Sequence, residues 1–299
     1  MASSHSPQVS NLGTFYRVEA DSDLGFNYPF FLYVPAVKKK KLPLLVIPNN
    51  SGGSQLDYET QVRKSRSELL EWSALAESMS CALLVPAFPR VYGKTPIYTH
   101  SLSRNSLEVK AGELKRVDLQ LIKMVDAART VIKRKDGKVL DEKIFLFGFS
   151  ASAMFVNRFS FIHPEMVKAV ALGAPGGWPL APLKEYKSKT LNYPVGIADL
   201  DPLINSKIDL KKVASVPMFL FLGEKDENDS VLFRDSYTKA DEDLIFSLFG
   251  KMPVQRWPLA EKLYKDAGLN ATFKLYPLGH ETNRAVHDDI VKFFKSVEK

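Results

Sequence analysis

Short apolar runs and amphipathic stretches alternate along most of the chain. Residues 15–20 and 28–35 read as two antiparallel strands, separated by the polar turn at Asp21, Ser22 and Asp23. Residues 42–48 and 82–86 are short, almost unbroken apolar runs, the pattern of strands buried on both faces. Residues 68–78 carry helical spacing. Residues 119–132 predict an amphipathic helix, with Leu119, Ile122, Val125 and Arg129 on the period and Lys133, Arg134 and Lys135 at its basic end. Strand-like runs follow at 144–147, 167–172, 216–222 and 271–276, and residues 288–295 predict a closing helix. Residues 88–112 are turn-rich and give no clear element. Alternating buried strands and helices imply a mostly parallel sheet covered on both faces.

The run at 144–147 ends at Gly148, Phe149, Ser150, Ala151 and Ser152, and a helix-like stretch starts at Ala153. A serine at a sharp strand-to-helix turn projects its hydroxyl above the sheet edge, and the crowded flanks must be small. Gly148 and Ser152 are small, although the usual pattern ends in glycine. The following helix points its positive end at the serine, which favours developing negative charge. A serine hydroxyl needs a base, so an acid and a histidine are expected later, in the order Ser, Asp, His. Asp226 follows the run at 216–222 in an acidic loop that also holds Asp229. His280 follows the run at 271–276 beside Gly279. Ser150, Asp226 and His280 each fall just past a predicted strand, where parallel sheets place their active sites. The other histidines, His5, His100, His163 and His287, lack that setting.

In these motifs the chain resembles the α/β-hydrolase superfamily over nearly its whole length. The segments from Asn49 to Gly53 and from Pro86 to Arg90 are similar to those of small carboxylesterases and polyester-hydrolase or polyhydroxybutyrate-depolymerase-like proteins. The resemblance implies one α/β-hydrolase domain across 1–299, a mostly parallel central sheet flanked by helices and, at 178–212, a small lid or cap. It implies Ser150 as nucleophile and His280 as general base. The family pattern Gly-x-x-Asp lands on Asp226, whereas Val231, similar to a valine often found soon after the acid, lies nearer Asp229. Asp226 is the preferred acid and Asp229 the alternative. The oxyanion hole is expected from the backbone N–H of Ala151 and of Asn50 or Ser51. Gly52 and Gly53 give that second loop room to turn, and the His-Gly of many relatives is absent there. Trp178, Tyr186 and Tyr193 are expected to contact substrate. The implied activity is carboxylic-ester hydrolysis on small or polymeric esters. A serine peptidase, a thioesterase and a catalytically silent binding relative remain open.

Composition narrows this little further. The chain has 299 residues, a formal net charge of +7 and 45% hydrophobic residues, ordinary for a globular domain. Lys38, Lys39, Lys40 and Lys41 lack interleaved aromatics, so a solvated hairpin turn is expected rather than a nucleic-acid or membrane patch. Cys81 is the only cysteine and sits in an apolar run, as a buried thiol would. The start shows no charged region followed by an apolar stretch, so a cytoplasmic location is expected, with secretion the alternative if a leader was removed. No run approaches the roughly 20 apolar residues of a membrane span. No metal-ligand spacing or dinucleotide fingerprint is present, so no cofactor is expected.

Overall fold

A computed structural model of the chain describes residues 8–10, 13–50, 57–91 and 97–298. Among them runs a nine-stranded sheet: β1 (Gln8–Ser10), β2 (Gly13–Val18), β3 (Phe30–Pro35), β4 (Leu44–Val46), β5 (Ala82–Pro86), β6 (Ile144–Phe149), β7 (Val167–Gly173), β8 (Met218–Gly223) and β9 (Ala271–Tyr276). Their spatial order is β1-β2-β3-β5-β4-β6-β7-β8-β9. Neighbours are antiparallel from β1 to β5 and parallel from there to β9.

The central strands are apolar throughout because both faces are covered. In β6, Ile144 and Leu146 enter one core while Phe145 and Phe147 enter the other. In β8, Leu220 and Leu222 face one side, and Phe219 and Phe221 the opposite side. Helices α1 (Tyr58–Met79) and α9 (Arg284–Glu298) cover one face. Helices α3 (Val117–Asp136) and α4 (Ala151–Ile162) cover the other, with the short α2 (Arg104–Glu108) nearby in sequence. Each fully buried Leu, Ile or Phe contributes about 1.5–3 kcal/mol, so this two-sided burial dominates the stability of the sheet. Asp57 caps α1 by accepting the Thr60 N–H at 2.8 Å. Gly137, at φ 63°, closes α3.

Several expectations are corrected. Lys38 to Lys41 do not form a hairpin, because β3 and β4 lie on opposite sides of β5. Lys38, Lys39 and Lys40 are exposed there, as a solvated connection requires. The run at 42–48 is not one strand either. Lys41–Leu42 pairs with Val139–Leu140, Pro43 has no N–H to continue that ladder, and β4 begins at Leu44. Residues 239–266, unassigned from sequence, form α7 (Lys239–Phe249) and α8 (Pro253–Asp266). The segment 178–212, expected as a small lid or cap, holds a short hairpin, Glu185–Tyr186 with Lys189–Thr190. It continues into α5 (Leu200–Ile204) and α6 (Leu210–Ala214). Trp178, Leu191 and Val195 of this segment pack with Phe249 of α7 and Leu263 of α8 in a third apolar cluster.

Candidate active site

Ser150 joins β6 directly to α4 and has φ 60° and ψ −120°. A non-glycine residue held there stores about 1–3 kcal/mol of strain, so its surroundings must fix it. The Ser150 N–H donates to the Gly173 carbonyl at 2.9 Å. A methyl group at Gly148 would overlap the backbone of Ser152, so the turn closes only around glycine. Ser152, the departure from the usual pattern, has a positive role. Its hydroxyl accepts the Phe149 N–H at 3.0 Å and donates to the Phe149 carbonyl at 2.9 Å, clasping the elbow. Ala151 opens α4, in the turn whose N–H groups have no intrahelical acceptor.

Asp226 and His280 lie on the loops after β8 and β9, which are parallel neighbours. The loops approach so closely that a methyl at Gly223 would overlap the carbonyls of Leu278 and Gly279. The Lys225 N–H donates to Leu278 at 2.9 Å across the same gap. His280 Nδ1 lies 2.9 Å from Asp226 Oδ2, and the carboxylate is almost fully buried. That contact places the ring proton on Nδ1 and leaves a lone pair on Nε2. The imidazole ring packs 4.9 Å from the ring of Phe149, the residue before Ser150. Nε2 accepts a hydrogen bond from Asn228 Nδ2 at 2.9 Å. Among the described residues no hydrogen bond joins it to Ser150.

Asp229 has a different partner. Arg256 reaches it with Nη1 at 3.0 Å and Nη2 at 2.7 Å, and both side chains are buried. The other described histidines are also engaged. His100 is buried, points Nε2 at the Phe88 carbonyl at 2.8 Å, and is pushed by burial down to about 4, so it is neutral at pH 7. His163 lies 2.8 Å from Asp118. Burial would raise that carboxyl, but Arg116 and His163 together hold it down to about 2. His287 meets the Thr282 hydroxyl at 3.0 Å.

The second oxyanion donor is corrected for one of its two candidates. The Asn50 N–H donates to both carboxylate oxygens of Glu68, at 3.1 and 3.0 Å, and is therefore not free to face a substrate oxygen. Ser51, like Gly52 and Gly53, lies outside the described residues. Asn49 anchors this loop: its side chain donates to the Phe88 carbonyl at 2.9 Å and accepts the Phe88 N–H at 3.1 Å. That brings together the two segments that suggested a small esterase.

Two of the expected substrate contacts are corrected as well. Trp178 is 1% exposed, stacks on Phe249 at 4.0 Å between centroids and donates Nε1–H to the Val195 carbonyl at 2.9 Å. Tyr193 is wholly buried, with its hydroxyl bonded to the Leu102 carbonyl. Both are core residues. Tyr186 is half-buried and packs 5.7 Å from Phe249. Sequence reasoning missed Asn228, Glu68 and Arg256. Only Asn228 had a local signal: two residues past Asp226, its N–H closes a turn onto Asp226 Oδ1 at 2.9 Å.

Among the described residues no cluster of metal-binding side chains gathers, and no helix is long and apolar enough to cross a membrane. No family model and no curated protein matches the chain. Solved structures do. The poly(aspartic acid) hydrolase-1 of Sphingomonas sp. KT-1 is similar over 97% of this chain and 100% of its own, with a TM-score of 0.62 and 16% identity. A poly(3-hydroxybutyrate) depolymerase from Bordetella parapertussis is similar over 95% and 90%, with a TM-score of 0.57 and 17% identity. An S-formylglutathione hydrolase from Agrobacterium tumefaciens is similar over 98% of both chains, with a TM-score of 0.53 and 14% identity. At such identities the likeness is one of fold.

Proposed function

The chain has the α/β-hydrolase fold, and we propose that it is a serine hydrolase that cleaves carboxylic esters through an acyl-enzyme. The observation that carries this reading is the Asp226–His280 contact of 2.9 Å, on loops at the same sheet edge as the strained Ser150. Ser150 Oγ attacks the ester carbonyl carbon and passes its proton to His280 Nε2. Asp226 orients the imidazole and stabilises the imidazolium without taking its proton. The tetrahedral oxyanion is met by the Ala151 N–H at the start of α4, with a second donor from the loop after β4. Collapse breaks the bond to the alcohol, which leaves with the proton from Nε2. Water then enters, gives a proton to Nε2 and releases the acid from Ser150 by the reverse sequence.

Polyesters fall within the proposed range, supported by the fold likeness to a poly(3-hydroxybutyrate) depolymerase. Within this reading residues 178–212 form a small cap, and Tyr186 is its half-buried aromatic nearest solvent. A panel of nitrophenyl esters of rising chain length, aminoacyl anilides and thioesters tests the substrate class. Turnover confined to esters and lost in Ser150→Ala is expected. Faster turnover of anilides would make the chain a peptidase, and of thioesters a thioesterase.

A further inference from the structure

Asn228 touches both partners of the proposed acid–base pair. Its backbone N–H donates to Asp226 Oδ1, and its side-chain Nδ2 donates to His280 Nε2, each at 2.9 Å. The second contact uses the lone pair that must receive the Ser150 proton. One ring lone pair cannot accept the amide N–H and the serine O–H in the same geometry. The backbone around Asn228 is fixed on both sides: Asp226 is buried against His280, and Asp229 is bound to Arg256. The Asn228 side chain is half-buried, so it can turn towards water while its backbone stays in place.

We propose that Asn228 is a positioning residue for the base: its amide holds His280 Nε2 in the substrate-free protein and yields that atom to Ser150 when the ester is attacked. This rests on the reading of Ser150 as nucleophile and His280 as base. In the resting state the amide keeps the ring in the tautomer and orientation that Asp226 also favours. Releasing it adds a step before acylation. One such bond changes an equilibrium by roughly two- to tenfold.

The test uses the full chain labelled with ¹⁵N-histidine, as wild type and as Asn228→Ala. It reads the imidazole nitrogens of His280 by NMR and the second-order rate of phosphonylation at Ser150. In the variant the Nε2 resonance should move towards that of a nitrogen without a donor, Nδ1 should stay, and Ser150 should react about two- to tenfold faster. Asn228→Ser, whose hydroxyl stops short of Nε2 and suits the same turn, repeats both readings if the alanine variant folds poorly. An unmoved Nε2 resonance, or a folded variant that labels no faster than wild type, overturns the proposal. Failure of the wild type itself to label at Ser150 is a separate result and removes the underlying reading too.

Discussion

Asp229 gives one carboxylate oxygen to each terminal nitrogen of Arg256, at 3.0 and 2.7 Å, in a buried pair three residues from the His280 partner Asp226. One acidic loop thus carries two carboxylates in different work. Asp229→Asn leaves the Arg256 guanidinium buried without a counter-charge, which costs about 3–5 kcal/mol of stability. It should lower the urea midpoint sharply and change ester turnover little in the folded fraction. Asp226→Asn should do the opposite, reducing turnover by about 10⁴-fold because the amide fixes the wrong tautomer of His280. Urea titration and nitrophenyl-ester kinetics on both variants check this. The reverse ranking in turnover would give Asp229 the role of the acid.

Ser152→Ala should destabilise the elbow. It leaves the Phe149 N–H without its hydroxyl acceptor beneath a strained Ser150. The Phe149 N–H is only half-buried, so losing this hydrogen bond costs about 0.5–1.5 kcal/mol. A thermal melt should show a lower midpoint than wild type. An unchanged midpoint would mean that the clasp contributes nothing.

Trp178→Ala should act on the fold rather than on substrate choice. The side chain is buried on Phe249, and a Trp-to-Ala change in a core costs about 3–5 kcal/mol. A chain-length panel should fall evenly, alongside a lowered melting temperature. A selective change between short and long esters at an unchanged melting temperature would restore Trp178 as a pocket residue.

Glu68 makes stability depend on pH. Burial, with Glu71 nearby, pushes its carboxyl from the usual 4.5 up to about 7 despite the Asn50 hydrogen bond and Lys64. Between those values the folded protein holds a proton that the unfolded chain has lost. Stability from this group therefore falls as pH rises from 4.5 to about 7, and is level above. Glu68→Gln should flatten that part of the profile in urea titrations from pH 4 to pH 8. A profile identical to wild type would show that Glu68 titrates normally.

The sheet was legible because its central strands are buried on both faces. Ile144 to Phe147 read as a strand, and so does the run before Asp226, since nearly every side chain enters a core. The small residues at 148 and 152 marked the elbow for a local steric reason. What stayed hidden depends on distant partners. Nothing near Trp178 announces Phe249, 71 residues later, so an aromatic after an active-edge strand read as a pocket wall. The Asn50–Glu68 contact joins a loop to a helix face by tertiary packing alone. Helix α8 was masked by Pro253 and Pro258, one at its first turn and one inside it. The basic run at Lys38 looked like a hairpin because the place of β5 between β3 and β4 has no trace in local pattern.

In the proposed mechanism Ser150 is the nucleophile and His280 its base. Incubation of the full chain with a nitrophenyl phosphonate, followed by peptide mass mapping, reads both roles in one experiment. One covalent adduct is expected on Ser150, formed in step with loss of esterase activity, absent from Ser150→Ala and strongly slowed in His280→Ala. An enzyme that hydrolyses esters while unlabelled at Ser150, or that labels on another residue, would contradict it.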